Sequence, residues 1–119
     1  MAPRCLIVDD NAAFLQAASS LLAGEGLTVV GCASTIAEAL ALAGDLDPDV
    51  ILVDIVLGPE SGFELVRRLA AAETRATVIL VSTHSEADFA ELIAEAPAAG
   101  FVPKSELSAT AIRELAEAG

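Results

Sequence analysis

The chain is expected to fold as an α/β protein, a doubly wound parallel sheet with helices on both faces. Two observations carry this expectation. Five short apolar runs, rich in branched residues, recur along the chain, and nearly continuous runs of this kind read as strands buried on both faces. Between them, apolar residues fall at three- and four-residue spacing, the signature of helices with one face inward. The order is strand then helix, repeated, and that alternation implies parallel strands joined by helical crossovers.

The first run is Cys5–Val8. Asn11 can cap a helix whose inner face carries Phe14, Ala18, Leu21 and Leu22. Leu27–Ala33 is the second run. Thr35 and Glu38 then form a capping box before Ile36, Ala39, Leu40 and Ala43. The third run is Val50–Ile55, and Ser61 with Glu64 opens a helix bearing Phe63, Val66, Leu69 and Ala70. The fourth is Val78–Val81, followed by a weaker box at Ser85 and Asp88 and by Phe89, Leu92, Ile93 and Ala96. Gly100–Val102 is the fifth, with Ser108 capping a last helix built on Ile112, Leu115 and Ala116. Gly24, Gly26 and Gly44 fall near helix ends, where left-handed caps are expected.

The 119 residues suffice for one domain and one core, so residues 1–119 are expected to form a single domain. Hydrophobic residues make up 55% and charged residues 20%, a balance that argues against disorder. No apolar run approaches the roughly 20 residues needed to span a bilayer. No signal-peptide core follows Met1, so a cytoplasmic location is expected. Cys5 and Cys32 both lie in apolar runs and read as buried small hydrophobes rather than a disulfide. The net charge is −12, with six unclustered basic residues, which excludes direct nucleic-acid binding and adhesion to anionic membranes. It suits a site that holds a divalent cation.

In sheets of this kind, function sits at the carboxyl ends of the strands. There the chain places Asp9 and Asp10 at the end of the first strand, Asp54 at the end of the third, Ser82 at the end of the fourth and Lys104 at the end of the fifth. Carboxylates gathered this way repel one another unless a cation offsets them. Mg²⁺ fits best, being a hard cation held by one or two carboxylates, waters and phosphate oxygens. Asp54 is then free to act as a nucleophile on phosphorus. Metal and ammonium would neutralise the charge of the transferring group.

The Asp9-Asp10 pair, Asp54, Ser82, Lys104, their spacings and Gly62 resemble the receiver domains of two-component response regulators, over essentially the whole chain. The resemblance implies a flavodoxin-like sheet of strand order 2-1-3-4-5 with five helices. It implies that Asp54 takes a phosphoryl group from a sensor histidine kinase. Asp10 resembles a direct Mg²⁺ ligand, Asp9 one acting largely through water, and the Val56 carbonyl a further ligand. Ser82 resembles the switch hydroxyl and Phe101 the aromatic that swings inward with it. The switched surface would be the face of the fourth helix, fifth strand and fifth helix, through which a weak homodimer is also expected. The chain would assist only its own phosphorylation and dephosphorylation and turn over no separate substrate.

Two departures touch loop shape. Lys104 is followed by Ser105 where the family usually has proline, and Gly58 stands where a proline is usual, with Pro59 next. They leave room for a rival reading, a receiver-like interaction module that works without phosphorylation. Plainer readings also exist for single residues. Ser82 and Thr83 can simply open a loop, Phe101 can be core, and His84 reads as exposed and without a role. Gly100–Leu107 resembles receivers that precede helix-turn-helix outputs, so a downstream protein or a C-terminal output domain is an expected partner.

Overall fold

The computed structural model describes residues 3–118. Five parallel strands, β1 (Arg4–Val8), β2 (Thr28–Ala33), β3 (Val50–Asp54), β4 (Thr77–Ser82) and β5 (Gly100–Pro103), form one sheet in the order β2-β1-β3-β4-β5. Helices α1 (Ala12–Gly24), α2 (Ile36–Leu46), α3 (Gly62–Ala71), α4 (Ala90–Glu95) and α5 (Ala109–Ala118) cover its two faces. The expected architecture and strand order are those observed.

Strand alternation divides the core in two. Leu6, Val8, Ile51, Val53 and Leu80 pack with Ile36, Ala39, Phe63, Val66 and Leu69 from α2 and α3. Their neighbours Cys5, Ile7, Leu52, Ile79 and Val81 pack on the opposite face with Ala18, Leu22 and Ile112 from α1 and α5. A period-two strand presents successive side chains to opposite faces, so only strands apolar at every position can serve both layers.

Some local expectations need correction. Cys32 is exposed, because β2 is an edge strand with a register irregularity against β1 between Cys5 and Leu6. Gly24 and Gly44 lie inside their helices, and positive φ falls instead at Gly26 and at Asp47, which ends α2. Ser85 makes no side-chain cap, and a 3₁₀ turn, Glu86–Phe89, precedes a short α4. Asn11, Thr35, Ser61 and Ser108 do accept backbone N–H groups at their helix starts. Strand β3 ends at Asp54, and Val56–Leu57 pairs with Glu60–Ser61 in a small antiparallel ladder that the sequence reading treated as loop. Every described peptide bond is trans, Lys104–Ser105 among them.

Candidate functional site

The loops at the carboxyl edge bring distant residues into one pocket. Asp9, fully buried, continues the β1–β2 ladder through its N–H to the Ala33 carbonyl at 2.9 Å. Its Oδ1 accepts the Asn11 N–H at 2.8 Å. Its Oδ2 is shut off from water and receives no directed hydrogen bond. The partner of that oxygen is the Lys104 ammonium, 2.5 Å away. The same ammonium donates to Asp54 Oδ2 at 3.1 Å, while Asp54 Oδ1 accepts the Val56 N–H at 3.1 Å. Asp54 is buried and Asp10 exposed.

Backbone conformation makes this pocket possible at two glycines. A Cβ on Gly62 would lie 2.0 Å from the Asp54 carbonyl oxygen, so only glycine lets α3 begin this close to the end of β3. Gly58, at φ +63°, turns the small ladder back so that its Cβ position is 3.3 Å from Asp10 Oδ2. The ladder is also tied to α2, since Glu60 Oε1 accepts the Ile36 N–H at 3.0 Å.

The electrostatics follow from burial. Loss of hydration, with the Asp9 charge nearby, raises the pKa of Asp54 above its ordinary value, against the opposing Val56 and Lys104 contacts. Burial works against the Lys104 charge, but Asp9 and Asp54 outweigh it and hold its pKa above the usual lysine range. One oxygen each from Asp9, Asp10 and Asp54 lies within 4.8 Å of the others. Three hard oxygen donors this close fit a divalent cation.

Ser82 is 1% exposed, and its Oγ accepts the His84 N–H at 3.0 Å, the loop-opening role of the plainer reading. His84 is exposed, as expected, yet its ring meets Phe89 edge-on at 5.6 Å and its Nδ1 lies 3.4 Å from Ser82 Oγ. Phe101 is half-buried against the core and lines a groove of about 250 Å³ with Pro103, Glu106 and Leu115. Val56 is exposed, beside Asp54. Sequence reading missed two contributors. Phe14, read as a core residue of α1, has its ring centroid 4.1 Å from Lys104 Nζ. Glu60 carried no signal, because its partner lies 24 residues away.

The doubly wound sheet and the acid-lined pocket with one lysine at its carboxyl edge define the class, an α/β protein whose chemistry lies where its strand order reverses. The sequence profile of the response regulator receiver domain matches residues 5–117. The chain is 34% identical over 102 residues to the response regulator GacA of Pseudomonas aeruginosa, covering 85% of this chain and 48% of GacA. It is 36% identical over 104 residues to protein-glutamate methylesterase/protein-glutamine glutaminase 6 of Anaeromyxobacter dehalogenans, covering 87% of this chain and 29% of that protein. The signal receiver domain of NarL from Mycobacterium tuberculosis superposes with a TM-score of 0.88 at 27% identity, over 99% of this chain and 98% of that domain. This chain belongs to the response regulator receiver domain family of two-component signalling. It spans half the length, or less, of these curated relatives.

Proposed function

We propose that this receiver takes a phosphoryl group onto Asp54, from the phosphohistidine of a sensor histidine kinase or from a small phosphodonor, in a Mg²⁺-dependent step. The observation that carries the reading is the Lys104 ammonium shared by Asp9 and Asp54 beside a cluster of three carboxylates. An Asp54 oxygen forms the new bond to phosphorus while the P–N bond of the donor breaks and its electron pair returns to the imidazole nitrogen. Asp10, Asp54 and the Val56 carbonyl would hold Mg²⁺, with Asp9 acting largely through water. A cation held there would supply positive charge against the phosphoryl oxygens. Lys104 would supply a second positive charge from the turn that follows β5.

Lys104 already stands between Asp9 and Asp54 before any donor arrives, so little reorganisation of its charge would be needed during transfer. The new dianion would draw the Ser82 hydroxyl from the His84 N–H. Phe101 would follow it inward. That shift alters the face of α4, β5 and α5 and so its affinity for a partner. The partner is a downstream protein, an output domain of a longer chain, or a second copy. The domain assists its own phosphorylation and hydrolysis and turns over no other substrate, as a cytoplasmic switch that leaves nucleic acid to its partners.

Incubation with Mg²⁺ and acetyl phosphate is expected to add one phosphoryl group to the intact mass, and Asp54→Asn to abolish it. An unchanged wild-type mass, with beryllofluoride also without spectral effect, would favour the phosphorylation-independent module.

A further inference from the structure

Phe14 stands in the first turn of α1, a helix that otherwise serves the core through Ala18 and Leu22. Its half-buried ring lies 4.1 Å from Lys104 Nζ, so the ammonium has three attractions: Asp9 at 2.5 Å, Asp54 at 3.1 Å and the aromatic face. The face of an aromatic ring carries the negative part of its quadrupole and attracts a cation, most strongly where water is excluded. Water is largely excluded here, since the Lys104 side chain is 12% exposed.

A second contact links the ring to the same acids. Asn11 donates its N–H to Asp9 Oδ1 at 2.8 Å, and its side chain accepts the Phe14 N–H at 3.1 Å. The residue that fixes Asp9 therefore also fixes the turn carrying Phe14. A leucine would serve for apolar cover alone. A ring over the ammonium adds direction: it restricts where Nζ can sit between two carboxylates that would each draw it to themselves.

We propose that Phe14 is a positioning residue for Lys104, holding the ammonium where an oxygen of the incoming phosphoryl group will arrive. The proposal rests on the reading of Asp54 as the phosphoryl acceptor. Its effect belongs to the rate of phosphoryl uptake rather than to folding. Phe14→Leu keeps an apolar side chain, though a smaller one, and removes the π face. Phe14→Tyr keeps the face.

The test is phosphorylation by acetyl phosphate over a range of donor concentrations at saturating Mg²⁺, with NMR of the Lys104 side-chain methylenes. Phe14→Leu is expected to lower the limiting rate about five- to tenfold at a temperature where it is fully folded, with donor half-saturation close to wild type. Phe14→Tyr should recover the rate to within about twofold. The Lys104 Hε resonances should be shifted upfield by the ring in wild type and Phe14→Tyr, and return to ordinary values in Phe14→Leu. A wild-type rate in Phe14→Leu, no recovery in Phe14→Tyr, or unshifted Lys104 methylenes in the wild type would overturn the proposal. Failure of the wild type to take phosphate overturns the acceptor reading instead, and the ring shift still reports whether the contact exists.

Discussion

Asp9 is a carboxylate with no exposed surface, and a single ammonium compensates its Oδ2. Removing that ammonium leaves buried charge unpaired, which costs more than the pair itself contributes. Lys104→Met is therefore expected to lower the unfolding free energy by about 3–5 kcal/mol in urea titrations without divalent metal. Millimolar Mg²⁺ should restore part of the loss, and unchanged stability would show that Lys104 compensates nothing. The two cysteines should differ just as sharply. Burial pushes the Cys5 thiol up from 9.0 to about 12, whereas Cys32 is exposed. One equivalent of an alkylating reagent should enter the native protein, at Cys32, and a second only on unfolding. The sign of the pH effect follows from linkage. From pH 9 upward the unfolded thiol ionises while the folded one stays neutral, so Cys5 withdraws stability as pH rises from 9 toward 12. A Cys5→Val variant should show a shallower decline over that window, and identical slopes would contradict it.

At the scale of elements, the junction between β3 and α3 is the least tolerant place in the site. Gly62 donates its N–H to the Ile55 carbonyl at 2.8 Å, and an added Cβ would overlap the Asp54 carbonyl. Gly62→Ala must move either the helix or the end of β3. A loss of about 3 kcal/mol or more in chemical denaturation is expected, with phosphorylation impaired even where the protein folds. Helix α4 is the opposite case. It spans six residues, buries none of them, lacks a side-chain cap and leaves Leu92 48% exposed. Local opening follows low burial, so amide exchange should be fastest among the helices across residues 86–95. Protection there equal to that of α3, which buries five of its ten residues, would refute this.

For the whole molecule, 18 acidic residues face six basic ones, so self-repulsion opposes the compact state. Salt of any kind should relieve part of it by screening. Mg²⁺ should do more, because a ligand that binds only the folded pocket stabilises by mass action. The melting temperature is expected to rise further in millimolar MgCl₂ than in NaCl of equal ionic strength, and Asp10→Asn should erase most of the difference. Equal responses in the two salts would argue against a specific cation site. Among the described residues no helix is long and apolar enough to cross a membrane.

The five apolar runs, their alternation with helical periodicity, and the acids and lysine at strand ends were all legible in the sequence, because burial on two faces demands strands apolar at every position. The apolar pattern did not reveal edge position; the strand order that sets β2 at the border came with the family resemblance, and Cys32 was still read as buried. Cys32 is exposed because β2 lies at the border of the sheet, which its own residues do not encode. The long-range partners were not legible either. The cation–ring contact of Lys104 with Phe14, the Glu60 bond to α2 and the backbone approach that requires Gly62 join segments distant in the chain or turn on backbone geometry. Local patterning depends on what each residue must bury and so is written along the chain. Convergence depends on which strands lie side by side, and only the assembled sheet decides that.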